Sequence, residues 1–347
     1  MLLTPEEIKQ QTRDLWRKCL HNTEAFMDIY FDEKYTDEGN LTIRHDGNVV
    51  ASAQLQPYRF TFYNTVLRAG YLSGLATLPE FRGRGYASNL LHEAHRRLFR
   101  QGAAISFLVP NNDELRHFFE KPQHGAFWTA VYRQNLPLDV TNDGAFDKIE
   151  VTQPDEWANE LYVFYRRLTS ELPFMVHPSE NDFFAALEDA DAKDGYVLVA
   201  RRKRRMVGFC LAVKEDDGNV YIRTLAITET AVRAAFVDYL CKACDVDKVY
   251  RRFCLPGSLK GSVPYAMARV INVPRFLSAI ATPNPGFQLH IGVDGDLDIP
   301  ENNGWYVVEN GRVRLTDEKP DSIVTPGGLA AMFMAAQPMV MDMLLDE

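Results

Sequence analysis

Two separate stretches of this chain spell out the same order of elements, and that repetition constrains the fold more than any single motif. In the first, runs at 41–44 and 49–55 flank His45-Asp46-Gly47-Asn48, where Asp-Gly supplies the positive-φ pair of a tight hairpin turn. Extended runs follow at 58–63 and 71–78, and a helix is predicted over 86–100 with Ala87, Leu90, Leu91, Ala94 and Leu98 on one face. In the second, after a helical stretch at 157–168, strands at 196–200, 207–213 and 220–227 are separated by a basic turn at 201–205 and by Asp217-Gly218, then lead into a helix over 231–244. A chain that reads hairpin, strand, helix twice is expected to build two mixed-sheet units of similar layout. The polar stretch 139–147 reads as a linker between them, and after Pro264 strand-like runs at 287–293, 305–308 and 313–315 with an apolar helix at 327–337 suggest a small third α+β unit. The length of 347 residues fits such a division, since single domains usually run to roughly 100–150 residues. The expected class is therefore α+β, with units at 1–138, 139–258 and 259–347.

Charge and composition narrow the function. Thirty-eight basic against 47 acidic side chains give a net charge of −9, which argues against a nucleic-acid binder and is compatible with a cationic substrate. No apolar run reaches the roughly 18 residues that span a bilayer, and the N-terminus opens on a capping box, Thr4-Pro5-Glu6-Glu7, rather than a signal peptide. A cytoplasmic protein with no membrane partner is expected. Five cysteines, including the lone pair Cys241 and Cys244, point to reduced thiols rather than a disulfide framework or a metal site. The run Asp294, Asp296, Asp298 resembles a calcium loop only superficially, because Ile299 stands where glycine is required and Trp305 where a bidentate glutamate is required, so turn acidity is the reading. His92 and His95 fall on the polar face of the predicted helix and read as solvated, and no metal is expected.

The chemistry concentrates where the first repeat's strand hands over to its helix, at Leu75-Ala76-Thr77-Leu78-Pro79-Glu80-Phe81-Arg82-Gly83-Arg84-Gly85-Tyr86-Ala87. Gly83 and Gly85 let a ligand approach the backbone, the orphan amides of the helix start face it, and Arg82 and Arg84 add forked donors suited to phosphates. This is a pyrophosphate cradle, yet neither a Walker loop nor a dinucleotide fingerprint. The segment Arg82-Gly83-Arg84-Gly85-Tyr86-Ala87 resembles the Arg/Gln-x-x-Gly-x-Gly/Ala motif of the GNAT acetyltransferases. The later segments Asn111 to Leu115, Phe118 to Lys121 and Gly125-Ala126-Phe127 resemble that family's closing segment.

The layout as a whole resembles the Eis (enhanced intracellular survival) type, with two GNAT-like domains and a C-terminal sterol-carrier-like domain. What the resemblance implies is an N-acetyltransferase that moves an acetyl group from acetyl-CoA to a primary amine of aminoglycoside, polyamine or lysine type. It implies a coenzyme A site at Leu75, Ala76, Thr77, Arg82, Gly83, Arg84, Gly85, Tyr86, Ala87, Ser88 and Asn111, and a homo-oligomer acting on a small-molecule amine. It also implies a tyrosine acid and a terminal carboxylate base; the tyrosine's position aligns with Phe119, which cannot donate a proton, and the carboxylate would be that of Glu347. His124 or His117, flanking Phe119, are candidates to replace the lost acid. The second repeat has Thr228-Glu229-Thr230 in place of the glycines and is expected to bind no cofactor. The alternatives are a non-catalytic acyl-CoA binder, suggested by Phe119, and a lipid carrier acting through the C-terminal unit.

Overall fold

The structure is a computed structural model that describes residues 3–139 and 148–345. The first part of the chain forms helices α1 (Pro5–Cys19) and α2 (Glu24–Ile29), strands β1 (Asn40–His45), β2 (Asn48–Phe62) and β3 (Thr65–Thr77), helix α3 (Tyr86–Arg100), strand β4 (Ile105–Leu108), helix α4 (Asp113–Glu120) and strand β5 (Trp128–Asp139). The middle part adds β6 (Glu150–Thr152), α5 (Glu160–Thr169), β7 (Phe174–His177), α6 (Glu180–Asp191), β8 (Tyr196–Arg202), β9 (Arg205–Lys214), β10 (Val220–Ile227), α7 (Thr230–Cys244) and β11 (Lys248–Leu255). The last part comprises β12 (Val263–Val270), α8 (Val273–Ala281), β13 (Leu289–Val293), β14 (Gly304–Glu309), β15 (Arg312–Thr316), β16 (Ile323–Val324) and α9 (Pro326–Met334).

Local chemistry explains most of these boundaries. Thr4 accepts from the Glu7 amide while Glu7 reaches back to the Thr4 amide, so both partners of the capping box are engaged at the start of α1. Asp46 and Gly47 both take positive φ, as the hairpin between β1 and β2 requires. The runs 49–55 and 58–63, expected as two strands, are one strand through Pro57. That proline is tolerated because β1 pairs with β2 only as far as Gln54 and β7 begins pairing at Arg59, so no partner needs the missing N–H on that edge. The basic turn is shorter than its charge run: Lys203 and Arg204 alone occupy it, both at positive φ, while Arg201 and Arg202 belong to β8 and pair with Glu160 and Glu229.

A 12-stranded mixed sheet carries the molecule, in the order β1-β2-β3-β4-β12-β5-β11-β10-β9-β8-β6, with β7 on β2. The pairs β1/β2 and β2/β3 are antiparallel and β3/β4 parallel; β8/β9 and β9/β10 are antiparallel and β10/β11 parallel. Long β5 bridges the two halves by pairing with β12 and with β11. Strand β12 follows the boundary expected at 258/259 and fills the place between β4 and β5. A second sheet, β15-β14-β13-β16, packs with α8 and α9 into the largest apolar cluster, which also takes in Phe60, Phe62, Tyr71 and Phe107 of the long sheet. Elements β7 and α6 were not expected from the sequence; β7 is four residues long, and α6 presents buried Phe183, Ala186, Leu187 and Ala190 to the cluster under β8–β10.

Two expectations about polar residues are overturned. His95 is fully buried, not solvated, because its Nδ1 lies 2.6 Å from an oxygen of Asp298. Asp296 and Asp298 are likewise interior: buried Arg269 of β12 donates to Asp296 (2.6 Å), to Asp298 (3.1 Å) and to the Gly125 carbonyl (2.9 Å). A buried guanidinium demands carboxylates, so the acidic run serves as its counter-charge and fastens α3 to the last part of the chain. His92 stays half in solvent at 3.2 Å from Asp298.

Candidate functional site

Strands β3 and β4 pair over three residues only, from Ala69↔Ile105 to Tyr71↔Phe107, and then part. A bulge drives them apart: between Ser52 and Gln54 on β2, β3 advances three residues, from Ala76 to Ser73, against two. Gly74 sits in the bulge at φ +58, and a Cβ there would lie 1.8 Å from the Trp16 ring, so glycine is required both for the backbone and for the packing. The opening is a cleft of about 390 Å³ lined by Tyr30, Tyr71, Ser73, Leu75, Asn111 and Phe119 among others.

At the mouth of the cleft the chain turns into α3. Gly83 and Gly85 both adopt left-handed φ (+75 and +78), and a Cβ at either would meet no atom within 4 Å, so their faces are open to a ligand. Gly85 is the N-cap, no side chain caps the helix, and no acidic residue stands in its first turn. The amides of this turn and the positive end of the 15-residue helix therefore face solvent together, as an anion site demands. Exposed Arg82 and Arg84 donate to the Thr77 and Glu80 carbonyls at 3.1 and 3.2 Å, which holds both guanidinium groups beside the turn. The predicted residues thus fall into two groups, Leu75, Ala76 and Thr77 on the parted end of β3 and Arg82 to Ser88 at the helix start, with Asn111 on the opposite lip.

The catalytic candidates separate differently. Phe119 is buried and lines the cleft, in edge contact with Phe118 and Phe127. His124 is outside the cleft lining; its Nδ1 lies 2.7 Å from Ser88 Oγ in the first turn of α3, and its ring stacks on Phe118 at 3.9 Å. Burial holds its pKa below the usual histidine value. His117 is exposed and engages the Asp113 carbonyl within its own helix. Glu347 lies outside the described residues, but the segment before it reaches the cleft. Leu345 borders both the first cleft and a second cavity.

That second cavity, of about 350 Å³, opens in the other half of the sheet by the same geometry. Strands β10 and β11 pair only at Tyr221↔Tyr250 and Ile222↔Arg251, and β10 is bulged between Ile222 and Thr224. The turn that follows is different. Glu229 is the N-cap of α7, in extended conformation, and its carboxylate pairs with Arg202 at 2.7 Å. A carboxylate where the first half has an open glycine repels a phosphate.

Sequence reasoning missed the group that seats the tail. Buried Lys34 donates to the Leu344 carbonyl, to Tyr58 Oη (3.0 Å) and pairs with Asp182 (2.9 Å), and Tyr58 Oη donates to the same carboxylate at 2.8 Å. Tyr165 Oη donates to Asp342 at 2.6 Å. Met343 and Leu345 are held at φ 57, a conformation non-glycine residues adopt at a cost of roughly 1–2 kcal/mol each, so these contacts fix an otherwise unfavourable path. Lys34 ends a π-helical turn, Tyr30–Lys34, and Tyr30 Oη meets Ser73 Oγ at 2.8 Å on the cleft wall, its pKa pushed up to about 12 chiefly by burial. No local pattern joins residues 34, 58, 182 and 344. The bulge, by contrast, had a signal, an isolated glycine within a strand-like run.

Comparison with known proteins agrees with this geometry. Residues 2–119 match the family model described as Acetyltransferase (GNAT) domain. The fold is similar to that of a GCN5-related N-acetyltransferase from Anabaena variabilis ATCC 29413, with TM-score 0.73 and 15% identity over 95% of this chain and 88% of that one. It is similar too to a probable N-acyltransferase from Enterococcus faecalis V583 (0.71, 13%, 97% and 89%) and to Eis1 from Mycobacterium abscessus (0.69, 16%, 96% and 88%). No curated protein matches the sequence. The first third of this chain thus matches the model of a GNAT acetyltransferase domain, and the fold of nearly the whole chain is like that of these solved structures.

Proposed function

We propose that this protein transfers an acetyl group from acetyl-CoA to a primary amine, with coenzyme A in the first cleft and the amine in the second cavity. The observation that carries the reading is the combination of a strand parted by the Gly74 bulge with an open, uncapped helix start at Gly85. The parted edge of β3 offers unpaired backbone to a pantetheine arm, and the amides of the α3 turn, with Arg82 and Arg84, suit a pyrophosphate. The amine nitrogen attacks the thioester carbonyl, a C–N bond forms and the C–S bond breaks; a base takes the amine's proton and the thiolate takes one from an acid or from water. Backbone amide near Ala76 is the assigned polarising donor for the carbonyl oxygen. The base is assigned to Glu347, supported by the resemblance and by the path of residues 342–345, which lines the second cavity and at Leu345 borders the first cleft. With Phe119 in the acid's position, thiolate protonation falls to water or to the cleft hydroxyls of Tyr30 and Ser73.

In this reading the chain divides as 1–138, 139–258 and 259–347, the middle unit a second GNAT-like domain that serves as scaffold and cavity wall. The last unit is read as sterol-carrier-like, with its four-stranded sheet and two helices in support. Phe119 favours one other reading, a non-catalytic acyl-CoA binder. Incubation with acetyl-CoA and a panel of primary amines separates the two. Amine-dependent release of free thiol, with a product one acetyl group heavier, is expected; tight binding of acetyl-CoA without turnover on any amine would favour the binder.

A further inference from the structure

The second cavity has a charge opposite to that of the protein. In a chain of net charge −9, its lining includes four arginines, Arg133, Arg223, Arg251 and Arg252, against two aspartates, Asp189 and Asp342. Most of these are engaged. Arg223 lies 3.5 Å from Asp189 and 3.6 Å from Glu215, Arg252 lies 2.5 Å from Glu215, and Arg133 rests over the Tyr265 ring at 4.1 Å.

Arg251 stands apart. It sits at the point where β10 and β11 separate, its guanidinium rests on the Phe253 ring at 3.9 Å, and among the described residues no carboxylate lies within ion-pair distance of it. Burial and the nearby Arg233 charge both disfavour its protonated form, while Cys210 and Asp342 favour it only at longer range. An arginine keeps its charge in spite of such surroundings, so the half-buried guanidinium presents forked donors that nothing in the described chain satisfies. A cation left in that state at the wall of a cavity is complementary to a small anion.

We propose that Arg251 recognises an anionic group on the acceptor, a carboxylate or a phosphate ester, so that the amine acetylated by this enzyme is carried by a negatively charged or zwitterionic small molecule. The proposal rests on the reading of the second cavity as the acceptor site. It reverses what net charge alone suggests, because the local field of a cavity selects a ligand more strongly than the overall charge does. The two aspartates suit the other end of such a molecule. Asp342 is on the tail segment, in hydrogen-bond contact with Tyr165, and the segment continues to Leu345 between the two cavities. An acceptor held by its anion on Arg251 has its amine free to lie toward that acidic side and the thioester.

The test uses the full chain and matched probes: α-amino acids against their carboxamides and decarboxylated amines, and phosphoethanolamine against ethanolamine. With the wild-type enzyme, the anionic member of at least one series is expected to have a kcat/KM at least 10-fold above its neutral partner, the lower end for a hydrogen bond to a charged group. In Arg251→Gln that preference should vanish through KM while acetyl-CoA affinity by calorimetry stays unchanged, and Arg251→Lys should restore part of it. Which series responds distinguishes carboxylate from phosphate. Equal activity on charged and neutral partners, or a preference that survives Arg251→Gln, overturns the proposal and leaves the acetyltransferase reading standing. If no probe is acetylated although acetyl-CoA binds, the acetyltransferase reading is what fails. Direct calorimetric titration of the same probes then decides the anion site: binding lost in Arg251→Gln upholds it, and no binding to the wild type overturns it.

Discussion

The two places where this sheet opens share a backbone and differ in chemistry. In each, a bulged strand pairs briefly with a parallel neighbour and then parts from it to leave a cavity, of about 390 Å³ between β3 and β4 and about 350 Å³ between β10 and β11. The first leads to Gly85 and an uncapped helix; the second leads to Glu229, already paired with Arg202. A few residues at one turn thus decide whether the opening suits an anion. The helices are also tied down differently. Helix α3 is fastened through His95 to the Asp298–Arg269 pair, whereas α7 packs through apolar residues such as Val232, Phe236 and Leu240.

The sharpest way to break the comparison is to give the first turn a side chain. Gly85→Val should weaken acetyl-CoA binding by at least 100-fold, since it fills the open face and forces a β-branched residue into left-handed φ. The change faces solvent, so circular dichroism should still report a folded protein. Native affinity in that folded variant would remove the cradle. The next largest effect concerns the shared wall. Deleting Asp346 and Glu347 should lower kcat by at least 10-fold and leave the acetyl-CoA Kd unchanged, as expected for groups that act on the reaction rather than on cofactor binding. Unchanged turnover would take the base away from Glu347.

What the sequence made legible follows from the range of each interaction. The hairpin at Asp46-Gly47, the helix over Tyr86–Arg100 and the left-handed glycine turn at Gly83 and Gly85 depend on residues within a turn of one another, and all can be read locally. The burial of His95 could not, because its partner Asp298 lies 203 residues away and the polar face of α3 looks solvated until β12 and the 294–303 turn pack on it. The same holds for Lys34, whose surroundings come from β2, α6 and the tail. The second cavity was hidden for another reason: the run Lys248–Leu255 carries no turn or glycine signal, and only the brief pairing with β10 brings Arg251 to an enclosed space.

The anchoring difference gives a pH test. Burial first, and then the Arg269 charge, hold the His95 pKa down at about 4 against 6.5 in the open. Between those values the unfolded chain binds a proton that the folded chain does not. Stability is therefore full above about pH 6.5 and falls as the pH drops toward 4, by up to ~1.4 kcal/mol per pH unit. Denaturant titrations of His95→Gln should show this slope flattened, with native-like stability at pH 5 relative to pH 7. A slope unchanged in the variant would mean that other groups carry it.

A smaller effect is expected at Phe119, the cleft residue that departs from the family's acid. Phe119→Tyr should raise kcat several-fold, less than the roughly 100-fold of a well-placed acid, because the side chain is packed against Phe118 and Phe127. Turnover that is unchanged or lower, with loss in His124→Ala, would move the acid to the histidine.

The claim that one fold repeated along a sheet holds one cofactor cradle is tested most directly by titrating the wild-type chain and Thr230→Val with acetyl-CoA in a calorimeter. One molecule bound per chain, with the same affinity in both proteins, is the expected result. Two molecules per chain, or a clear loss of binding in Thr230→Val, would contradict it.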